Sequence, residues 1–273
     1  IGASGTANDI NVTLGGTLTA LASTGAGGIF ITESNATSIV SIDAGTGNIE
    51  LESGGTITDA AGADDTTDIA GALLTIRNST GIGVDTNDEL NLDVDNLTVT
   101  TTSGDAFLTE ANGIGLGTVN VGANNLDISA ITGNITDNTS ALTANNLTIE
   151  ARDNNAAIGA SGTANDINVT LGGTLTALAN TGAGGIFVSE TTTDMAIGTI
   201  DAGTGNAELR SIAGSIIDST SDITANNLTM TAANAIGATG AANDINTTVA
   251  SVTATTNNGG VFITEADGLT LRS

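Results

Sequence analysis

Thirty acidic residues stand against four arginines, and the chain has no histidine, lysine or cysteine. Carboxylates are therefore the only abundant side chains able to do ionic chemistry. Two stretches concentrate them. Residues 62–68 read GADDTTD and hold Asp64, Asp65 and Asp68, and residues 88–95 read DELNLDVD and hold Asp88, Glu89, Asp93 and Asp95. Oxygen-rich clusters suit Ca²⁺. Neither stretch has the spacing of an EF-hand loop, and the glycine-rich nonapeptide of calcium-binding β-rolls does not occur. Asp64, Asp65 and Asp68 are thus Ca²⁺ candidates, set against the plainer reading of a solvated acidic turn. Paired carboxylates also cleave glycosides. Here they recur along the chain, whereas an active site is singular, and the Trp and Tyr of sugar platforms are both missing. No His or Lys is available as a base and no Cys as a nucleophile. The expectation is no enzyme, no catalytic residue and no cofactor other than Ca²⁺.

A second pattern concerns phenylalanine. The four Phe residues all occur in one motif: GGIFITE (Phe30), DAFLTE (Phe107), GGIFVSE (Phe187) and GGVFITE (Phe262). A glutamate follows three places on each time, as Glu33, Glu110, Glu190 and Glu265. The motif belongs to a long repeat. Residues 1–30 return at 158–187 with a single change, Ser23 to Asn180. Related units start at Ile82 and Ile236, so the repeats span 1–81, 82–157, 158–235 and an incomplete 236–273.

A finer period lies inside. A small polar, acidic or Gly residue precedes an aliphatic–x–aliphatic triplet at fourteen anchors between Ile10 and Val261, with a mean step of about 19 residues. The alternation after each anchor has period two, the mark of a half-buried strand. Gly, Asn and Asp separate the strands, as turns require. A step this short cannot form a domain of its own but is the right length for one coil of a solenoid. A row of immunoglobulin-like domains would carry buried Trp and Tyr, which are absent. Stacked parallel coils place like on like at about 4.8 Å. Proline would delete a ladder hydrogen bond in each coil it entered, and there is none. The recurring ANNL and ANDI strings fit turns with stacked amides. Thr-x-Thr pairs do not recur in every coil, so strand propensity accounts for them better than an ice-binding lattice.

Net charge is −26, yet 39% of the chain is hydrophobic, enough to build a core. Nucleic acid needs a basic partner surface, and an anionic leaflet repels an acidic one. No apolar run reaches the ~18 residues of a membrane-spanning helix. The first residue is Ile and no signal peptide is visible, which fits a fragment or processed chain.

Strings such as TANNLTIEA (143–151), TANNLTMTAANAIG (224–237) and GTGNIELESGGTIT (45–58) resemble the shafts of filamentous haemagglutinin-type exoproteins. These are large bacterial surface or secreted adhesins, many exported by two-partner secretion. The resemblance covers essentially the whole chain but contains no binding or catalytic motif. It implies a right-handed parallel β-helix, an extracellular or cell-surface location and a structural or adhesive role.

The sequence therefore predicts an all-β, parallel β-helix (β-solenoid) over 1–273, with 19–20 residues per coil, about 14 coils and four coils per repeat of ~78 residues. The expected function is an extending, displaying shaft of an extracellular fibre or surface adhesin. The alternative is a repeat-based module for Ca²⁺ or a host glycan. Expected partners are further copies or neighbouring repeats, with no nucleic acid and no membrane insertion. The chain starts inside one unit and stops inside another without polar caps, which predicts continuation by covalent chain or by stacking. In this register Phe30, Phe107, Phe187 and Phe262 point outward along one face, each with its glutamate nearby. They are the candidates for lateral contact, unless each ring is simply covered by its own glycine-rich turn.

Overall fold

Alternating aliphatics are what the strands bury. In the computed structural model, Ile29, Ile49, Leu74, Leu97 and Leu116 stand in register on successive parallel strands and are each 2% exposed or less. Removing one such side chain from water stabilises by about 1.5–3 kcal/mol, so an acidic residue at Leu74 would break the stack. The structure describes all residues except 6, 7, 63, 65, 139, 140, 220, 221, 241, 272 and 273, and the backbone alone at 270 and 271. Asp65 thus lies outside the described residues. Every named element is a strand and the long ladders are parallel: the chain is an all-β parallel β-solenoid. No helix is long and apolar enough to cross a membrane among the described residues.

The chain forms two compact units, Ile1–Ile131 with Asn138–Ser140, and Thr132–Asp137 with Ala141–Ser273. In the first, β1 (Ile10–Val12) and β2 (Thr17–Leu21) make one turn, and β3 (Ile29–Glu33) and β4 (Thr37–Asp43) the next. β5 (Ile49–Ser53) and β6 (Ile57–Asp59) follow. The long β7 (Ile69–Ser79) and β8 (Leu90–Thr101) each serve two ladders, and β9 (Ala106–Glu110), β10 (Ile114–Asn120) and β11 (Leu126–Ala130) complete the unit. The first ladder stacks β1, β3, β5, the ends of β7 and β8, and β10. The second stacks β2, β4, β6 with the start of β7, the start of β8, β9 and β11. That makes six turns.

The second unit repeats the plan. Its strands are β12 (Ile135–Asp137), β13 (Ala141–Ala144), β14 (Leu147–Ala151), β15 (Ile167–Leu171), β16 (Thr174–Leu178), β17 (Ile186–Glu190) and β18 (Met195–Asp201). β19 (Ala207–Ser211), β20 (Ile216–Asp218), β21 (Asp222–Ala232), β22 (Ile245–Thr256), β23 (Ile263–Glu265) and β24 (Thr270–Leu271) follow. The first ladder here runs β13, β15, β17, β19, the ends of β21 and β22, and β24. The second runs β14, β16, β18, β20 with the start of β21, the start of β22, and β23. Again there are six turns, with β24 opening a further one.

About twelve turns, with a spacing near 21 residues, are slightly fewer and longer than the anchors imply. Each turn uses two ladders, and some turns carry inserted loops. One consequence is that a long repeat does not return to its starting ladder. Ile1 opens a unit on the first ladder beside Phe30, while Ile82 bridges Ile57 and Ala106 on the second. Likewise Ile158 bridges Ile135 and Ile186 on the first ladder, and Ile236 bridges Ile216 and Val261 on the second. A repeat advances the strand order by a half-integral number of turns. The expected single face of phenylalanines is therefore corrected: within the first unit Phe30 and Phe107 stand on different ladders, and within the second so do Phe187 and Phe262.

Candidate functional site

The phenylalanine motif marks a junction built four times. The amides of Phe30, Phe107, Phe187 and Phe262 donate to the carbonyls of Ile1, Ile82, Ile158 and Ile236 at 2.8–2.9 Å. The partner strand then leaves the ladder. It returns one ladder step later, where Ile10 pairs with Ile31, Leu90 with Leu108, Ile167 with Val188 and Ile245 with Ile263. Between departure and return run residues 2–9, 83–89, 159–166 or 237–244, a loop at each described residue, with 6, 7 and 241 outside the described residues. Three of these close on the same bond, Ala3, Ala160 and Ala238 donating to Asn8, Asn165 and Asn243 at 2.9–3.1 Å. Each loop starts with a glycine at φ +66° to +69° (Gly2, Gly83, Gly159, Gly237). A β-carbon there would also strike the Phe carbonyl, so this position accepts only glycine comfortably.

Three side-chain roles follow from the interruption. The ring points outward, as expected, and is half-buried in all four copies, while its neighbours Ile29, Ile31, Ala106, Leu108, Ile186 and Val188 are buried. At Phe30, Phe187 and Phe262 the ring lies back over Gly28, Gly185 and Gly260, whose missing side chains make the room. Phe107 has Asp105 at that place and no such seat.

The acidic residue that ends each loop ties it down. Asp9, Glu89, Asp166 and Asp244 accept from the hydroxyls of Thr32, Thr109, Ser189 and Thr264 at 3.1, 2.9, 2.7 and 3.0 Å.

The glutamate lies on the inner side of the junction. Glu33, Glu110 and Glu190 are 0% exposed and Glu265 is half-buried. Glu33 accepts from the amides of Leu14 (2.9 Å) and Asn35 (3.1 Å), and Glu110 from Val94 and Asn112, both at 3.0 Å. Glu190 accepts from Leu171 (2.9 Å), Thr192 (3.0 Å) and Thr193 (3.2 Å), and Glu265 from Val249 (3.2 Å). A corner ends the ladder and leaves amides pointing inward, and a buried N–H must find an acceptor. The carboxylate joins two adjacent corners. The ring and its glutamate thus face opposite ways, because the fourth place after the anchor has inward parity. Burial pushes Glu110 up to about 7, opposed by the amides of Asn112 and Val94 and assisted by Asp93.

Elsewhere, Asp68 turns inward at 4% exposure and accepts from the Asn91 amide at 2.9 Å. Burial is the main cause that raises it to about 8, with Asp59 and Asp64 adding to the rise. Asp59 is 7% exposed, and its Oδ2 has no hydrogen-bond partner among the described residues. Asp64 is exposed and caps its own turn through Thr66. No group of three or more acidic side chains among the described residues is arranged to hold a metal. Asn227 donates to Asn206 at 2.8 Å, an amide pair of the kind expected, but the ANNL string at 225–228 lies within β21 and is not a turn.

Comparison with family models, with curated proteins and with solved structures finds no match to this chain.

Proposed function

We propose that the chain is a structural, non-enzymatic shaft segment of an extracellular fibre or large surface adhesin, of the kind its turn sequences resemble. One observation carries the reading. The most elaborate feature of the sequence, present four times, directs its polar groups at the chain itself. The glutamate closes corners, the loop acid pins the next strand, and in three copies the ring covers a glycine. Such parts repair interruptions in a solenoid that lengthens by adding turns. The net charge of −26 keeps such segments soluble and apart at low salt. The partners proposed are neighbouring repeats or further copies, end to end, with lateral contact through the open edges of the rings. Antibodies raised against the chain should label intact, unpermeabilised cells that make it, at a distance from the envelope. Labelling only after permeabilisation would overturn the reading.

A second reading, a repeat-based module for Ca²⁺, rests on the acidic stretch that holds Asp64 and Asp68. Calorimetric titration of the chain and of Asp68→Asn with Ca²⁺ tests it, and equal heats for the two reject it. A glycan array tests the remaining form of that reading, a host glycan on the repeated face.

A further inference from the structure

The first and third repeats, near-identical over 1–30 and 158–187, build a corresponding surface twice, and they fill it differently. Residues 43–51 read DAGTGNIEL and residues 201–209 read DAGTGNAEL. Glu50 and Glu208 are therefore counterparts. In both copies the outward glutamate is in register with the Phe on one side, Phe30↔Glu50 and Phe187↔Glu208. On the other side it is in register with a threonine, Glu50↔Thr75 and Glu208↔Thr229.

In the first unit Glu50 is 5% exposed and fully engaged. It forms an ion pair with the Arg77 guanidinium and accepts from Ser4 Oγ (3.4 Å) and the Gly5 amide (3.3 Å). Arg77 stands two residues beyond Thr75 on the adjacent strand. The equivalent place, two residues beyond Thr229, is Thr231. The third repeat thus keeps the carboxylate and the ring, has no cation at the place of Arg77, and carries Arg210 two residues further along the strand of Glu208, without an ion pair to it among the described residues. Glu208 is half-buried and has neither an ion pair nor a hydrogen bond among the described residues. A groove of about 170 Å³ lies there, lined by Phe187, Glu208, Ser161, Asn206, Asn227 and Thr229. Arg210 does not line it.

We propose that this groove docks an arginine side chain presented by a partner protein. The chain itself shows what such a site holds: Arg77 fills its twin. A guanidinium matches a carboxylate with a planar fork of donors and stacks on aromatic rings, which an ammonium does less well. The unpaired Glu208 carboxylate offers the ion pair, and Phe187 offers an apolar wall for the methylene stem of the arginine. The surrounding charge of −26 attracts a cationic partner over distance. The site is a property of the coil surface and holds whether or not the chain serves as a shaft.

The test is a titration of the isotope-labelled chain with the peptide acetyl-Gly-Arg-Gly-amide, followed by NMR. Its twin, with citrulline in place of arginine, keeps the shape and loses the charge. The arginine peptide should give saturable shifts at Phe187, Ala207 and Glu208 that the citrulline peptide does not. Glu208→Gln should weaken binding at least tenfold. Thr231→Arg should rebuild the internal pair, abolish binding and raise the melting temperature. Arg77→Thr should open a second site at Phe30 and Glu50. Circular dichroism confirms that each variant is folded, and a misfolded Thr231→Arg leaves Glu208→Gln to decide. Shifts scattered over the acidic surface and unchanged in Glu208→Gln would overturn the proposal, as would equal binding of the citrulline peptide or no saturable shift at all.

Discussion

Glu190 is the most heavily engaged of the four junction glutamates, and its replacement by alanine tests the junction directly. The carboxylate accepts backbone amides from Leu171, Thr192 and Thr193, and the Thr192 hydroxyl at 3.3 Å. Alanine leaves the buried amides without acceptors, at about 1–3 kcal/mol for each one that water cannot reach. Thr192 and Thr193 sit at a corner where water can replace part of the loss, while Leu171 is 4% exposed. A sum of roughly 3–5 kcal/mol is expected. Glutamine keeps one acceptor oxygen and should cost about half as much. The assay is urea unfolding followed by circular dichroism. The midpoint should fall in the order wild type, Glu190→Gln, Glu190→Ala. An alanine variant within about 0.5 kcal/mol of wild type, the range of ordinary surface substitutions, would refute the corner-closing role.

A double-mutant cycle on Asp166 and Ser189, 2.7 Å apart and both buried, should give a coupling of about 1–2 kcal/mol; additivity would show that the loop is not pinned there. Stability should fall as pH rises. The folded pKa of Asp68 is about 8 against 3.8, and that of Glu110 about 7 against 4.5, so the folded state holds these protons more tightly. Their contribution is complete below about pH 4 and is lost as pH rises through 7 to 8. Asp68→Asn should flatten this dependence and raise the melting temperature at pH 8; an unchanged profile would count against the buried carboxyl. Replacing all four Phe by Ser should lower the melting temperature, because each ring is half-buried. Association per folded chain should then drop only if the open ring edges serve lateral contact, as light scattering can read.

The solenoid was legible because its core is a period-two pattern: Ile29, Ile31 and their stacked partners announce inward positions in any short window. The two-ladder turn was not legible. Strands of both ladders carry the same aliphatic–x–aliphatic triplet, so anchors on opposite ladders look alike, and the face of each Phe cannot be told from its motif. The strand-like spacing of Ile1 and Ile10 concealed a loop, because both residues do pair with the same neighbour, on either side of Phe30. The glutamate could have been placed. Glu33 lies four residues after Ile29, an inward parity. The difference between Glu50 and Glu208 depends on which residue stands diagonally across one strand, and strand register is what the sequence lacks.

The central claim is that the turn is the mechanical and structural unit of this chain. Stretching a single chain between its ends in an optical trap tests this most directly. One turn of about 21 residues releases roughly 70 Å of extended backbone at ~3.5 Å per residue, less the ~4.8 Å it spanned when folded. The account predicts abrupt releases in whole multiples of roughly 65–70 Å, with those that open a junction needing the greater force. Smooth extension at low force, or releases unrelated to the length of a turn, would contradict it.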